Sequence, residues 1–364
     1  MPTIPTQKLT AFITAIFRAN GSSPAEAARI SKYLVGANLT GHDSHGVIRV
    51  PMYVRWQREG EVVTDQSVTL PVDAPSFAVV DGRFGFGQTV APQAVQIGID
   101  KCQAQGLSAV ALRHAGHIGR VGDWAEMAAA AGFVSIHFVS APAANLVAPF
   151  GGAERRFSTA PFCAGVPVQG GDPIILDFAT SMVAEGKVLV ASLGGKPLPA
   201  GALVSADGRH STDPATLYGP LADNPAREAS KGAGAIRAFG DHKGSGLAFL
   251  CELLGGALTG SGTPSAERKR FCNGMLSIYI DPARLDVADY FPAEVARYAA
   301  YVKSARPAQP GGEVLLPGEP ELRRRAERIA KGVPLTPEVW EAIIAAAGVA
   351  GVEAGVIKGA AALT

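Results

Sequence analysis

A chain of 364 residues is long enough for two or three domains, and its 47% hydrophobic and 18% charged residues are the composition of an ordinary globular protein. The net charge of +1 argues against a nucleic-acid partner, which would need clustered lysine and arginine. Four widely spaced cysteines (Cys102, Cys163, Cys251 and Cys272) with no CxxC exclude a disulfide scaffold or a zinc knuckle and fit free thiols in a reducing, cytoplasmic setting.

Leu9, Phe12, Ile13, Ile16 and Phe17 repeat at helical spacing and Arg18 follows, so the first apolar stretch reads as an amphipathic helix and not as a signal peptide. Ser23, Pro24 and Glu26 form a helix start, and this second helix should run to about Asn38 and stop near Gly41. A strand (FAVVDG), a glycine-rich turn (RFGFGQ) and a helix over 90–104 come next. Then follow strand SAVALRH, a helix near 121–131, strand FVSIHFVS, short strands at CAGVPV and PIILDF, and a helix from about 180. Residues 128–150 carry no charge, but Gly132, Pro142, Asn145 and Pro149 interrupt them, so no membrane span is expected. Beyond a loop-rich region at 194–241 come an apolar helix over 243–257, strand GMLSIYI, and helical pattern from 292 onward. The run Arg323-Arg324-Arg325 sits between Glu321 and Glu327 and reads as a solvated helix face. Strands in the middle and helices at both ends suggest a sheet domain with a helical layer built from the two termini.

The densest collection of reactive side chains is GHDSHGVIRVPMYV, residues 41–54. A hydrolase elbow is GxSxG, whereas this stretch has GxxSxG, and Asp43, Ser44 and His45 are consecutive, so a nucleophilic triad is disfavoured. Two HxxH pairs, His42 with His45 and His114 with His117, could hold a metal with Asp43 or Asp123 as a further ligand, or could simply be hydrogen-bonding loop residues. A third reading is a site for a small oxo- or hydroxy-acid: the guanidinium fork of Arg49 matches a carboxylate, and histidine suits proton transfer to a carbonyl oxygen. If a helix runs on from Ser44, then His45, Arg49 and Tyr53 share one face, approximately so because Pro51 intervenes. No GxGxxG lies between a strand and a helix, which disfavours a Rossmann nucleotide site.

Taken together, GHDSHGVIRVPMYV, FGFGQ, GHIGRVGDWAE, NLVAPFGG, STAPF, LDFATSMVAEGK, GDHKGSGLA, LGGALTG and LLPGEPE resemble the type-2 malate/L-lactate dehydrogenase family over about residues 9–340. HIGR, GFVSIHFVS, PFC and LLPGE are similar in particular to its hydroxycarboxylate dehydrogenase B branch. The resemblance implies an α/β fold with a largely antiparallel, non-Rossmann nicotinamide-binding sheet domain and a helical domain built from both termini. The corresponding division is 1–73 (helical, with the SHG motif), 74–283 (cofactor and substrate) and 284–364 (helical, packing with the first). It also implies an NAD- or NADP-dependent 2-oxo/2-hydroxy acid oxidoreductase, usually a homodimer with its site near the subunit interface.

Carried over by motif, Ser44 and His45 stand beside substrate and nicotinamide, Arg49 binds the substrate carboxylate, and the proton donor or acceptor is His117 or, as in imino-acid reducers, His45, with Ser44 orienting it. Tyr53 and Thr159 complete the substrate side. The cofactor would lie along His45, Gly119, Arg120, Val121, Ile175, Leu176, Asp177, Phe178, Ala179, His242, Asn273, Gly318, Glu319, Pro320 and Glu321. A cyclic imino-acid reductase and a histidine-ligated metallo-enzyme are the alternatives; Lys187 stands where imino-acid reducers tend to carry aspartate. The family's GTNP is here Ser158-Thr159-Ala160-Pro161, and His114 replaces a commoner asparagine.

Overall fold

The computed structural model describes residues 3–363 apart from 193–195, 221, 224–228, 230, 266, 268–269 and 287–288. Helix Thr6–Ala19 turns Leu9, Phe12, Ile13, Ile16 and Phe17 inward, as its periodicity requires. Helix Pro24–Leu39 starts where the Ser23 hydroxyl accepts the Glu26 amide at 3.2 Å. These two helices share one core with Val333, Trp340, Ile343 and Ala347 from the other end of the chain. The ring of Phe12 meets that of Trp340 at 5.6 Å, and the strand Thr3–Ile4 pairs with Val333–Pro334. Helix Tyr290–Lys303, by contrast, buries none of its residues.

A seven-stranded sheet forms the middle of the molecule. In spatial order its strands are Thr69–Asp73, Phe77–Asp81, Leu107–Ala115, Asn273–Ile280, Val134–Ser140, Phe162–Val166 and Ile174–Phe178. Only Phe77–Asp81 and Leu107–Ala115 run parallel; every other neighbouring pair is antiparallel. Helices Gly87–Gln105 and Gly122–Ala130 cover the sheet, burying Val90, Ala94, Val95, Trp124 and Ala125 against Val110, Leu112, Met275 and Tyr279. A third core gathers Val147, Phe157, Val188, Leu217, Tyr218, Ile236 and Cys251 beside a small four-stranded sheet. All four cysteines are buried, and no disulfide joins them. No helix among the described residues is long and apolar enough to cross a membrane.

Several expectations need correction. No helix runs on from Ser44: two single 3₁₀ turns, Asp43–His45 and Val47–Arg49, are separated by extended Gly46, and the α-helix is Val50–Arg58. The helix expected from about 180 starts at Glu185, because the segment before it stays extended and bridges Ala238. The apolar helix at 242–251 continues as a π-turn at 252–257 that seats Gly255 against the sheet backbone at Phe138. Among its described residues the loop-rich region contains three short strands and one helical turn.

Candidate active site

The stretch that begins at His42 is fixed by residues distant in sequence. Asn38, at the end of its helix, accepts the Val47 amide at 2.8 Å and donates to the Asp43 carboxylate at 2.6 Å. Arg328, from helix Glu319–Lys331, grips the same carboxylate with both terminal nitrogens, at 2.6 and 3.0 Å, and also reaches the Asn38 carbonyl. Gly46 lies so close to Asn38 that a β-carbon there would come within 2.2 Å of its Oδ1. That contact breaks the helix. The backbone turns at this point, and the side chains before and after it face one space.

Ser44 Oγ stands 3.0 Å from His45 Nδ1. The imidazoles of His45 and His117 stack with centroids 5.5 Å apart and planes 11° off parallel. His117 Nδ1 meets the Tyr53 hydroxyl at 2.5 Å, and Gln88 Nε2 donates to the same hydroxyl at 3.1 Å. Each imidazole is thus held through Nδ1, which leaves Nε2 for a ligand. Burial lowers the His45 pKa well below its ordinary value, with further repulsion from His117 and Arg49, and it lowers His117 to about 3. Burial also raises the Tyr53 pKa, so its hydroxyl keeps its proton. Trp56 and Phe271 stack at 4.6 Å and form an apolar wall, with Phe271 6.0 Å from His117.

Arg49 closes the other side. Its Nε donates to the Ser44 carbonyl at 2.6 Å and its Nη2 lies 3.3 Å from Glu185, so one edge of the guanidinium is spent on the protein. The opposite edge, Nη1 with Nη2, remains as a fork for a carboxylate. Helix Glu185–Ser192 abuts this point directly: a β-carbon on Gly186 would come within 2.7 Å of Ser44 Cβ.

The expected cofactor residues fall into groups. Arg120, Ile175, Gly318 and Glu321 line one cleft of about 360 Å³, together with Thr40, Glu126 and Arg325. Arg120 is buried, and its Nη1 pairs with Asp123 at 2.9 Å and Glu126 at 2.7 Å while its Nε has no hydrogen-bond partner. Burial brings Asp123 up to about 7 although Arg120 opposes the rise. Gly119, at φ 71°, and Val121 flank Arg120 at the start of helix Gly122–Ala130. Asp177 accepts the Gly122 amide at 2.7 Å, which ties this helix to the edge strand of the sheet. On that strand Leu176 is exposed, Phe178 packs on Phe162 and Phe239, and Ala179 follows. Gly318, at φ 94°, packs its backbone against Ile175, and Pro320 sits in the first turn of the helix it opens. Glu321 faces His42 at 3.4 Å, whereas Glu319 turns back to Lys303 and the Leu316 amide.

Three expected residues are placed differently. Asn273 is spent within the fold: it accepts the Ile118 amide at 3.0 Å and donates to the Ser140 carbonyl at 3.0 Å, so it holds the loop that carries His117. His242 is exposed, with its ring 5.9 Å from that of Phe150, beside a second cavity of about 250 Å³ lined by Phe150, His210, Arg237 and Asp241. Thr159 supports the segment leading to Glu185, its carbonyl accepting from the amide and hydroxyl of Thr180 at 3.1 Å each. Its neighbour Ser158 is turned inward. There the Ser158 hydroxyl donates to the buried Glu252 carboxylate at 2.6 Å and accepts the Ala160 amide at 3.0 Å. Ala160 bears a positive φ of 34°, a conformation asparagine tolerates better than alanine.

The HxxH pairs are split. His42 faces Glu321 and His114 meets Asp81 at 3.1 Å, away from the stacked His45 and His117. No cluster of three or more metal-ligating side chains occurs among the described residues. The arginine run is exposed as expected, but Arg325 also lines the mouth of the cleft and the stem of Arg324 lies against Gly41. Pattern reading missed Asn38, Gln88, Glu185, Tyr218 and Arg328. Of these, Gln88 closes the noted motif FGFGQ and Glu185 lies inside LDFATSMVAEGK, whereas the other three lie in no motif.

A guanidinium fork, two stacked imidazoles and an adjoining cleft with a buried cation are features suited to an enzyme of small organic acids. Residues 4–344 match the malate/L-lactate dehydrogenase family, and the chain belongs to it. It is 41% identical over 347 residues to hydroxycarboxylate dehydrogenase B of Escherichia coli K12, covering 94% of this chain and 92% of that one. It is 35% identical to L-lactate dehydrogenase of Cupriavidus necator, over 87% of this chain and 89% of the relative. The structure of malate dehydrogenase from Pyrococcus horikoshii superposes with a TM-score of 0.83 at 27% identity, over 96% of each chain. The protein is thus an oxidoreductase of 2-hydroxy and 2-oxo acids with an α/β fold of mixed sheets, and its family implies a nicotinamide cofactor.

Proposed function

We propose that the chain interconverts 2-oxo and 2-hydroxy acids with NAD or NADP, binding substrate between Arg49 and the His45–His117 pair. The observation that carries this reading is the convergence of two unspent imidazole nitrogens on a guanidinium with one free edge. Arg49 holds the substrate carboxylate through that edge and so presents one face of the C2 carbonyl. The nicotinamide, when bound, supplies or removes the hydride at C2. His117 exchanges the proton on the C2 oxygen through Nε2, and His45, oriented by Ser44, positions the substrate. Kept neutral by burial, His117 is ready to take the hydroxyl proton in the oxidative direction. A bound carboxylate raises its proton affinity for the reductive one. Tyr53 and Gln88 keep the His117 ring in place.

The cofactor fits the Arg120 cleft: a buried guanidinium with an unpartnered Nε suits phosphate oxygens, and Glu126 and Glu321 can accept ribose hydroxyls. Gly119, Arg120, Val121, Ile175–Ala179 and Gly318–Glu321 are proposed to line it, in a non-Rossmann manner supported by the largely antiparallel sheet. Residues 1–73 and 284–364 would form the helical unit and 74–283 the cofactor and substrate unit, in a cytoplasmic homodimer.

The test is a spectrophotometric screen of pyruvate, oxaloacetate, phenylpyruvate, 2-oxoglutarate and a cyclic imine with NADH and NADPH. Turnover of at least one 2-oxo acid is expected, unaffected by dialysis against chelator. Arg49→Lys should lower kcat/KM about a hundredfold with cofactor affinity intact, because an ammonium cannot form the fork. No turnover, with neither nucleotide raising the melting temperature, would sink the reading.

A further inference from the structure

Arg49 does not face the site alone. Glu185 Oε2 lies 3.3 Å from its Nη2, while Glu185 Oε1 accepts a hydrogen bond from the hydroxyl of Tyr218, a fully buried residue. Both charged side chains are largely shielded, at 18% and 19% exposure, so solvent screens this carboxylate only weakly. Gly186 seats the start of the helix on Ser44, which holds Glu185 at the rim of the substrate space. Lys187 lies on the exposed side of the same turn. On the far side stand Trp56 and Phe271, which offer no charge to a ligand.

We infer that Glu185 fixes the substrate class: 2-oxo and 2-hydroxy acids with a single carboxylate and an uncharged substituent at C3. The inference rests on the oxidoreductase reading of the Arg49 site. With the C1 carboxylate on the free edge of Arg49 and C2 beneath the imidazoles, the rest of the substrate meets either Glu185 or the aromatic wall. A second carboxylate placed about 6 Å from Glu185 would be repelled, and in the other direction it would be desolvated against Trp56 and Phe271 without a partner. Repulsion of this size corresponds to roughly tenfold to hundredfold discrimination. Family membership leaves the question open, since lactate carries one carboxylate and malate two.

The test compares ratios of kcat/KM. The wild-type protein should favour pyruvate and phenylpyruvate over oxaloacetate and 2-oxoglutarate by at least tenfold, and Glu185→Gln should narrow that preference about tenfold. A wild-type preference for the dicarboxylates, or a folded Glu185→Gln variant with an unchanged ratio, overturns the inference while leaving the oxidoreductase reading intact. An absence of turnover with every 2-oxo acid would instead sink that reading. A measurement on the wild type decides the matter even if the variant fails to fold. Oxamate, a monocarboxylate, should inhibit at least tenfold more strongly than the small dicarboxylate oxomalonate, and equal or reversed potency overturns the inference.

Discussion

The middle of the sheet and the mouth of the site hold the same side chain, fully buried in one and half-buried in the other, put to different use. His137, on strand Val134–Ser140, is fully buried, its Nδ1 2.8 Å from Ser277 Oγ and its Nε2 3.0 Å from Ser135 Oγ. Burial lowers its pKa to about 3, the value His117 reaches beside Arg49. A depressed pKa therefore does not separate a core imidazole from a working one. What separates them is the second nitrogen: both are spent in His137, whereas His45 and His117 are held through Nδ1 alone.

Replacing each histidine in turn is the strongest way to break this comparison. His117→Ala should lower kcat by about 10²- to 10⁴-fold with a smaller change in KM and little change in melting temperature. His137→Ala should leave kcat per folded molecule near wild type but cost about 2–4 kcal/mol of stability, since it opens a cavity and strands two serine hydroxyls. Steady-state kinetics and denaturant titration of both variants check the contrast; comparable kinetic losses in the two would refute it.

Titration sharpens the comparison, because in stability the three imidazoles should act alike. Their folded pKa values lie below the ordinary histidine value, so the unfolded chain takes up protons first as pH falls. The stability they support is present above about pH 6.5 and is lost as pH drops from there toward 3. Each should remove roughly 1 kcal/mol at one unit below 6.5, so the loss at pH 5.5 should amount to a few kcal/mol together. His137→Ala should flatten the slope by about one third. A denaturation midpoint independent of pH between 7.5 and 5.5 would contradict the buried, neutral state of all three.

The smallest expected effect is at the contact between Glu185–Ser192 and Ser44. Gly186→Ala should push Ser44 and reduce kcat/KM about tenfold while costing about 1 kcal/mol or less of stability. Full activity would show that the serine need not stay where it is.

What could be read in advance was local. Ser23, Pro24 and Glu26 announce a helix start because capping involves neighbours in sequence, and Leu9 to Phe17 announce a buried face by their spacing. The histidine cluster was legible only through the family's motifs, since no spacing rule connects His45 with His117. The break at Gly46 was hidden because its cause is a contact with Asn38. Arg328 lies 285 positions from the Asp43 it holds, and Glu185 lies 136 from Arg49. The strand Thr69–Asp73 gave no signal because all five of its residues are exposed, so burial imposed no alternation. Asn273 fitted a motif, yet its side chain serves the backbone of its own protein.

The pairing of Thr3–Ile4 with Val333–Pro334, and of Phe12 with Trp340, also bears on how the chain comes to be folded. During synthesis Leu9, Ile13 and Phe17 emerge first, but their packing partners are made some three hundred residues later. Until the ribosome has finished helix Pro337–Ala350, the opening helices can pack on each other and on Val50 and Tyr53, but the part of the core that Trp340 and Ile343 complete stays open. Nonsense or frameshift changes near residue 330 would spare every group proposed to touch substrate, yet they would release a chain that cannot close its first core. Loss of activity from such alleles would then be a matter of chaperone and protease traffic, with the chemistry of the site untouched.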